Sequence, residues 1–282
     1  MFHVEKMVTE DFAFAVELTD TVKWGFVEED FRFMTRLEPE GCFVLYNDSA
    51  RIGIATTISY SKTGWFGNLI VRKDFRKKGA GSFLVKHSLE YLFGRNVKSV
   101  GLYAYIDKIP FYETLGFTGN ADYEVLRTER LFPFKLSNKM EIREASEEDL
   151  KSLVEFDRLC FGDNRERLLK TVMSMPRNIC YMAFDEGRLL GYAIAKVYEG
   201  VAEVGPLGCG RKRSNVELSL LQSIFSEIAG FDVSLCVPKR ESNILGFVKK
   251  CGFSEVFPVV RMLFNPSVDT DCITIAESLE RG

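Results

Sequence analysis

The sequence predicts an α/β protein built around a mixed β-sheet, with the same plan present twice. Apolar strand-like runs alternate with amphipathic helical patterns over about the first 130 residues, which is typical of a sheet covered by helices. Landmarks of this first part then return later in the chain at a nearly constant spacing. The chain has 282 residues, 46% of them hydrophobic and 27% charged, which is enough apolar material for two cores.

The helices and strands of the first part follow from local patterns. A helix from Thr9 to Leu18 begins with an N-cap pattern, and a second helix runs from about Glu28 to Leu37. Three strands come next, followed by a long helix, a strand, a short helix and two more strands. In chain order, these later elements read CFVLYND, IGIATTISY, WFGNLIVR, SFLVKHSLEYLF, SVGLYAY, IPFYETLGF and, for the two strands, the region around DYEVLRTERLF.

An internal duplication explains the spacing of the landmarks. Asp11 and Asp149 both begin helical patterns, and the difference between their residue numbers (149 − 11 = 138) is the same as that between Gly53 and Gly191 (191 − 53 = 138). The short motif FYETLGF returns as FVKKCGF at a slightly smaller offset (253 − 117 = 136). One deletion of two residues therefore reconciles the three landmarks.

The duplication divides the chain into two predicted domains. The stretch from Phe132 to Lys139 has the composition of a connector, and the plan restarts immediately after it. We therefore expect one domain at 1–138 and a second at 139–282, with the residues from Asn265 onward forming a tail outside the repeat.

Composition and charge exclude several classes of protein. A net charge of −3 argues against a general affinity for nucleic acid or for an anionic membrane, although a local basic patch still suits a small anion. Seven isolated cysteines and two histidines argue against a disulfide framework or a metal site. The first residues do not read as a signal peptide, and no apolar run is long enough to cross a membrane, so we expect a cytoplasmic protein.

A glycine-rich turn carries the clearest chemical signal. In the stretch LIVRKDFRKKGAGSFLV, an apolar strand ends at Val71, a basic turn follows, and a helix begins with Gly79-Ala80-Gly81. Glycine lets the backbone approach a ligand, and the first turn of a helix offers free N–H donors at its positive end. The turn therefore predicts a site for a phosphate or diphosphate, with Arg76, Lys77 and Lys78 at its rim. It is not a Walker loop, because the pattern G-x-x-x-x-G-K-[ST] is absent. It is not a dinucleotide fingerprint either, because that motif needs G-x-G-x-x-G and an acidic residue about 20 residues later.

This turn and a second motif resemble the GNAT N-acetyltransferase superfamily. The pattern R-x-x-G-x-G from Arg76 to Gly81 precedes a helix, a strand and the motif F-Y-E-x-L-G-F, which here spans Phe111 to Phe117. Trp24-Gly25-Phe26 followed by Asp30-Phe31 is similar to a bacterial and archaeal subgroup with a second GNAT-like domain. Residues of the later half that resemble that domain are Gly205-Pro206-Leu207, Val237-Pro238, Asn243, Cys251-Gly252-Phe253 and Arg261-Met262. The resemblance implies a tandem GNAT fold of two acyl-CoA N-acyltransferase-like domains.

The resemblance also implies that acetyl-CoA is the co-substrate and that its site lies in the first half. Family members hold the diphosphate on the amides of the glycine turn and pair the pantetheine arm with the preceding strand, as an added strand would pair. An N–H at Val71 or Ile70 would stabilise the oxyanion, and Tyr112 would protonate the departing thiolate. The residues expected to bind the coenzyme are Leu69, Ile70, Val71, Arg76, Lys77, Lys78, Gly79, Ala80, Gly81 and Ser82.

The acceptor side of the site is specified less fully. The residues expected to line it are Trp24, Asp30, Trp65 and Asn68. Many family members have an Asn seven residues before the catalytic tyrosine, where this chain has Tyr105, so one coenzyme contact differs. No Asp, Glu or His lies on the strand at 65–72, so the general base is not evident, and a carboxylate at 28–30 acting through water is one candidate.

The predicted function is transfer of an acetyl group from acetyl-CoA to a primary amine by direct attack in a ternary complex. The acceptor is a small molecule or a protein amine, and the sequence does not indicate an oligomeric state. One alternative is a non-catalytic acyl-CoA sensor with the same pocket, which the missing acid on the strand favours and Tyr112 disfavours. Another is a nucleic-acid-binding protein that uses the basic stretch at 72–78, against which the net charge and the lack of interleaved aromatic residues count.

The second half is expected to keep the fold and to lack the coenzyme site. By the smaller of the two offsets, the corresponding pairs are Gly79 and Asn215, Gly81 and Glu217, Arg76 and Lys212, and Tyr112 and Val248. Asn215 and Glu217 thus place side chains, one of them negatively charged, where the backbone would have to approach a diphosphate. Val248 cannot replace Tyr112, because its side chain has no proton to donate. The stretch from Ser214 to Glu217 reads as a capping box that satisfies its own helix. We expect this domain to bury part of the first domain or to wall its acceptor pocket.

Overall fold

The computed structural model describes residues 1–134, 140–211, 215–266 and 270–282. Within these ranges, thirteen strands form one continuous mixed sheet, and eight α-helices cover it. The predicted α/β class is therefore confirmed.

The two halves contain matching sets of elements. The strands of the first half are β1 (Phe2–Lys6), β2 (Cys42–Asn47), β3 (Ala50–Ser59), β4 (Thr63–Val71), β5 (Ser99–Tyr105) and β6 (Thr118–Thr128). Its helices are α1 (Phe12–Asp20), α2 (Glu28–Leu37), α3 (Ala80–Gly94) and α4 (Ile109–Glu113). The strands of the second half are β7 (Glu141–Glu144), β8 (Ile179–Asp185), β9 (Arg188–Val197), β10 (Val201–Gly210), β11 (Asp232–Pro238), β12 (Ser254–Phe264) and β13 (Cys272–Ile275). Its helices are α5 (Leu150–Phe161), α6 (Glu166–Met173), α7 (Val216–Glu227) and α8 (Ser242–Lys250).

Each half covers both faces of its part of the sheet. In the first half, α3 packs over one face of β2 to β5, and α1 and α2 pack over the other. In the second half, α7 and α8 take one face. The remaining face, under α5 and α6, is turned toward the first half, because Leu168 and Met182 share a buried cluster with Leu37, Ile58 and Trp65. The two halves therefore meet through the faces that carry α1–α2 and α5–α6.

The last strands of the repeats are exchanged. The order along the sheet is β1-β2-β3-β4-β5-β12-β6-β11-β10-β9-β8-β7, so β12 of the second half lies beside β5 of the first, and β6 lies beside β11. The expectation of two strands near 122–132 is wrong, since the structure has only β6 there. The place next to β5 that a second strand would take is held by β12. The predicted boundary between 138 and 139 lies outside the described residues.

Two buried carboxylates join the halves away from the sheet. Glu38, at the end of α2, accepts a hydrogen bond from the Arg167 guanidinium of α6 at 2.8 Å. Asp163, between α5 and α6, accepts hydrogen bonds from the backbone N–H groups of Lys62 and Thr63, both at 2.7 Å, and so fixes the start of β4. Because a buried carboxylate is costly unless it is paired, these contacts specify how the halves fit together.

Candidate active site

The parallel strands β4 and β5 separate part of the way along their length. They pair from Thr63 with Ser99 to Trp65 with Gly101, and no further. On its other edge, β4 stays paired with β3 as far as Val71. The separation leaves an opening between the last residues of β4 and those of β5.

The backbone of β4 presents a donor to this opening. The Arg72 N–H donates to the Ile52 carbonyl at 2.7 Å, in the direction of β3. Because successive N–H groups of a strand point to opposite edges, the Val71 N–H faces the opening and the Ile70 N–H faces β3. Of the two residues predicted to stabilise an oxyanion, Val71 is therefore the one on the open side.

A bulge at Asn68 bends β4 beside the opening. The pairing of β3 with β4 changes register between Ile54 and Thr56, and Asn68 adopts a φ of 51°. The Asn68 side chain is buried, its Nδ2 donates to Thr56 Oγ1 at 3.1 Å, and its Oδ1 has no hydrogen-bond partner among the described residues. Asn68 is thus held within the strand and is not displayed at a surface.

The turn before α3 has the backbone geometry of an anion site. Lys77 and Gly79 both adopt positive φ, at 60° and 85°, and Gly79 is the N-cap of α3. A Cβ on Gly79 would meet no atom within 4 Å, so the turn is open on this side. The N–H groups of the following helical turn have no partners inside the helix, and their positive end attracts an anion.

Two contacts hold this turn against its neighbours. The Arg76 Nε donates to the Val71 carbonyl at 2.8 Å, which ties the turn to the end of β4. Gly81 lies against Phe111, since a Cβ at this glycine would be 3.4 Å from the ring. The turn is therefore positioned by both β4 and α4.

Tyr112 lies on α4, directly after β5. Its ring packs against Phe111 and Phe117, with ring centres 5.0 and 5.8 Å away. Burial raises the pKa of its hydroxyl well above the usual value, so the phenol keeps its proton throughout the neutral range. Such a group is able to donate a proton to a leaving thiolate.

The loop between α1 and α2 reaches β5 through Trp24. Its Nε1 donates to the Tyr105 hydroxyl oxygen at 3.1 Å. Asp30, a little further along, caps α2, because its carboxylate accepts a hydrogen bond from the Val27 N–H at 2.8 Å. Burial nevertheless raises the pKa of Asp30 above its usual range.

Trp65 does not reach an open surface. Its side chain is buried, and it stacks on Tyr103 with 5.1 Å between ring centres. A Cβ on Gly282 would overlap the Trp65 ring, so this residue covers the indole. Burial of Trp65 follows from the path of the last residues of the chain.

Residues 276–282, which we call the 276–282 segment, cross β4 at Gly67. At the crossing point, a Cβ on Gly67 would lie 2.8 Å from the Cα of Glu280 and 3.1 Å from its Cγ. A strand position that another part of the chain approaches this closely admits only glycine. The segment therefore packs directly on β4, one residue before the bulge.

Buried charges anchor this segment to the second half. The Lys196 ammonium of β9 donates to Glu277 Oε1 at 2.8 Å, and the Arg281 Nε donates to Glu277 Oε2 at 2.6 Å. The Arg165 guanidinium donates to the Gly282 carbonyl at 2.8 Å. Although burial opposes ionisation, the charges of Arg281 and Lys196 hold the pKa of Glu277 well below its usual range. The segment is thus held in place by buried charged groups.

In the second half, the chain itself fills the equivalent opening. Strands β10 and β11 pair over three residues only, at 201–203, and then separate. Strand β13 pairs with β10 from Leu207 to Gly210, along the edge that a pantetheine arm would need. The predicted tail therefore supplies a strand in place of a ligand.

The helix start of the second half differs from that of the first, but the predicted capping box from Ser214 to Glu217 is wrong, because Asn215 is the N-cap of α7 and makes no side-chain capping hydrogen bond. Asn215 keeps a left-handed φ of 68°, as Gly79 does. The Glu217 side chain is buried at the start of α7 and accepts a hydrogen bond from its own backbone N–H. Lys212 and Ser214, which the repeat also compares with the first half, lie outside the described residues.

The predicted site residues lie in three places of the structure. The glycine turn is tied to the end of β4 through Arg76 and lies against Phe111, the neighbour of Tyr112 on α4, while Trp24 bonds to Tyr105 at the end of β5. Trp65 and Asn68 are buried within β4, and Asp30 lies at the start of α2. The 276–282 segment was not predicted, and its single sequence signal is a glycine, Gly67, in the middle of an apolar strand.

Other features of the described residues limit what the site holds. No group of three or more His, Cys, Asp or Glu side chains in these ranges is placed to bind a metal ion. All seven cysteines are buried as free thiols. In the same ranges, no helix has the length and apolar character needed to span a membrane.

Comparison with protein families matches both halves of the chain. Residues 7–117 match the model described as the acetyltransferase (GNAT) family, and residues 153–274 match an acetyltransferase (GNAT) domain. The protein named N-alpha-acetyltransferase 30 from Dictyostelium discoideum is 32% identical over 111 residues, which are 37% of this chain and 56% of that relative. The chain thus spans little more than half the length of this relative.

Two solved structures resemble the whole chain. A proposed acetyltransferase from Pyrococcus horikoshii has a TM-score of 0.82 at 21% identity, over 100% of this chain and 96% of its own. A tandem GNAT protein from the clavulanic acid biosynthesis pathway has a TM-score of 0.66 at 13% identity, over 95% of this chain and 100% of its own. At these identities, the likeness shows the shared fold.

Proposed function

Since this chain belongs to the GNAT acetyltransferase family and carries two GNAT domains, we propose that its first half is an acetyl-CoA-dependent N-acetyltransferase. The observation that carries the proposal is the opening between β4 and β5 with the glycine turn at its mouth. An extended thioester arm fits such an opening as an added strand, and a diphosphate fits the helix start beside it.

The residues of the first half would then have separate roles in binding and catalysis. The amides from Gly79 to Ser82 hold the diphosphate, while Lys77 and Lys78 add positive charge at an exposed rim. The pantetheine arm pairs with β4 between Leu69 and Val71. Acetyl-CoA supplies an activated acyl group, the Val71 N–H stabilises negative charge on its carbonyl oxygen, and Tyr112 donates a proton to the sulfur.

The acceptor in this proposal is a primary amine, as a small molecule or as part of a protein. The relative from Dictyostelium is named for acetylation of α-amino groups, which makes a peptide N-terminus one acceptor to test. Trp24, Tyr105 and Asp30 border the side from which an amine would enter, whereas Trp65 and Asn68 shape β4 from within.

We assign a structural role to the second half, with the division between the halves at 138 and 139. Strand β13 takes the place of a pantetheine arm, and Glu217 places a carboxylate at the helix start where a diphosphate would bind. Its 276–282 segment walls the acceptor side of the first half.

The test is direct. Titration calorimetry with acetyl-CoA measures binding, and free-thiol detection measures transfer to a panel containing spermidine, phenylethylamine and a hexapeptide with a free α-amine. Binding together with thiol release that depends on the amine supports the proposal, and failure of acetyl-CoA to bind overturns it. Binding without transfer to any amine would favour the acyl-CoA sensor, which the lack of an acidic residue on β4 supports.

A further inference from the structure

The acceptor side of β4 has a carboxylate that the strand itself does not supply. Strand β4 contains no Asp, Glu or His. Glu280, from the 276–282 segment, lies over Gly67 so closely that its Cγ would be 3.1 Å from a Cβ at this glycine. The Cα and the first side-chain carbons of Glu280 therefore occupy the place that a side chain at position 67 would take, and its carboxylate extends from there.

Glu280 also lies close to β5. Its negative charge raises the pKa of the Tyr105 hydroxyl, although burial of that tyrosine is the larger cause. Tyr105 accepts the hydrogen bond from Trp24 on the acceptor side. The Glu280 side chain thus lies over β4 at Gly67 and near enough to Tyr105 of β5 for its charge to act on that hydroxyl.

The backbone around Glu280 is rigidly held. The Tyr60 hydroxyl donates to the Arg281 carbonyl at 2.7 Å, and Arg165 donates to the Gly282 carbonyl at 2.8 Å. On the other side of Glu280, Glu277 is fixed by Lys196. A carboxylate presented from such a frame keeps its position, as general base catalysis requires.

The groups that face Glu280 come from several elements. They are Ser278 and Arg281 of the segment, Tyr105 of β5, Lys196 of β9, Glu203 of β10 and Cys236 of β11. Among the described residues, no lysine or arginine nitrogen lies within 4.0 Å of the Glu280 carboxylate, whereas Lys196 is paired with Glu203 at 2.7 Å and with Glu277 at 2.8 Å. Burial raises the pKa of Glu280, which makes it a better proton acceptor than an exposed carboxylate.

Other carboxylates near the site are already engaged. Asp30 caps α2 through the Val27 N–H, and Glu29 pairs with Arg32 on the exposed face of that helix at 3.1 Å. Glu203 pairs with Lys196. Glu280 is the carboxylate that is half-buried, close to β4 and outside any ion pair of the described residues.

We propose that Glu280, carried by the second half, is the general base of the first half's active site. This rests on the proposed N-acetyltransferase function. The Glu280 carboxylate takes one proton from the acceptor ammonium, and the neutral amine attacks the thioester carbonyl carbon. The new C–N bond forms as the C–S bond breaks, and Tyr112 protonates the sulfur. The nitrogen passes a second proton to the Tyr112 oxygen, so the products are amide, free coenzyme thiol and a protonated Glu280, which releases its proton to water.

The test compares Glu280→Gln with the wild type and with Glu199→Gln, a matched change at an exposed glutamate of the second half. Calorimetry should give the same acetyl-CoA affinity for all three proteins. We expect kcat/KM of Glu280→Gln to fall by about 10²- to 10⁴-fold at pH 7, as for loss of a general base. The deficit should shrink as pH approaches the pKa of the acceptor amine, because a free amine needs no base. Glu280→Asp, which keeps the acid, should fall between the two.

The outcomes separate this proposal from the function on which it rests. Acetyl-CoA binding with wild-type turnover and an unchanged pH profile in Glu280→Gln overturns the role of Glu280 alone. A loss of kcat/KM that is the same at every pH also overturns the role of Glu280, since replacing a merely structural residue would lower kcat/KM independently of pH. If no amine of the panel is acetylated, the measured reaction is the slow hydrolysis of bound acetyl-CoA. Equal hydrolysis rates in the wild type and Glu280→Gln would then overturn the proposal. Lack of acetyl-CoA binding by the wild type rejects the proposed function itself.

Discussion

Tyr123 and Val259 are directly paired across strands β6 and β12, and their residue numbers differ by the offset that separates the two copies of the G-F motif (259 − 123 = 136). Each residue is therefore paired with its own counterpart in the other copy. The relationship places a pseudo-twofold axis at this pair, with the two halves of the sheet on either side. It also means that neither half completes its sheet with its own strands.

The exchange of strands predicts that the halves are not independent. Without β12, the edge of β5 and the core around Val260 and Met262 are left open. We expect a fragment of residues 1–138 to form dimers or aggregates, and co-expression with 139–282 to restore a single soluble complex. Light scattering after gel filtration checks this. A monomeric 1–138 fragment with cooperative thermal unfolding would show that the exchange is not needed for folding.

The glycine turn predicts a sharp effect of charge at Gly81. A Cβ at this position meets only the Phe111 ring at 3.4 Å, so glutamate fits but places a carboxylate at the proposed diphosphate site. We expect Gly81→Glu to weaken acetyl-CoA affinity by about 100-fold or more, which is about 3 kcal/mol. Gly94→Glu, at the far end of the same helix and in open space, is the control. If the two variants bind acetyl-CoA with equal affinity in calorimetry, the coenzyme does not bind at this turn.

Tyr112 should affect turnover and not coenzyme affinity. In the proposed mechanism its hydroxyl acts only as the thiolate leaves, so we expect Tyr112→Phe to lower kcat by about 10²-fold or more with unchanged acetyl-CoA binding. Because burial raises the pKa of Tyr112, loss of its proton should limit the rate only above the usual titration range of tyrosine. Tyr181→Phe, whose hydroxyl bonds Glu227 at the surface, is the matched control. Full turnover in Tyr112→Phe would make the residue structural.

The filled opening of the second half predicts one coenzyme per chain. Strand β13 occupies the edge of β10, and Glu217 is buried at the helix start. Equilibrium dialysis with labelled acetyl-CoA should saturate at one molecule per chain in the wild type, and Gly81→Glu should bind almost none at concentrations that saturate the wild type. A second molecule of acetyl-CoA per chain that still binds in Gly81→Glu would mean that the second half also binds the coenzyme.

Asp163 should stabilise the contact between the halves. It accepts hydrogen bonds from Lys62, Thr63 and Ser61, and loss of its charge leaves these donors poorly satisfied. We expect Asp163→Asn to lower the free energy of unfolding by about 2 kcal/mol at pH 7, measured by urea denaturation. Glu166→Gln, on the exposed side of α6, serves as the control.

The same residue makes a prediction about pH. Although burial opposes ionisation, the hydrogen bonds from Ser61, Lys62 and Thr63 hold the pKa of Asp163 below its usual value. Its contribution is therefore complete above the unfolded-state pKa of about 3.9 and is lost as pH falls through the lower folded-state pKa. The difference in stability between the wild type and Asp163→Asn should shrink in that acid range. A difference that grows there would contradict the assignment.

Much of the fold was predictable because its signals are local. Alternating apolar residues mark β2 to β5, and the basic turn with its glycines marks the start of α3. The partner of a strand is not a local property. Strand β12 pairs with β5, although neither strand's sequence contains a signal that identifies its partner. The 276–282 segment has no periodicity to read, since single contacts such as the one between Gly67 and Glu280 fix its path.

The position of β12 also sets the order in which the protein is completed during synthesis. Tyr105 pairs with Val259, which is made much later because more than half of the chain separates the two residues. At ordinary rates of translation, that is a delay of about 10 to 30 s, during which a nascent β5 has an unpaired, aggregation-prone edge. The first half therefore lacks a neighbouring strand of its sheet, and the 276–282 segment that packs on β4, until nearly the whole chain has been made.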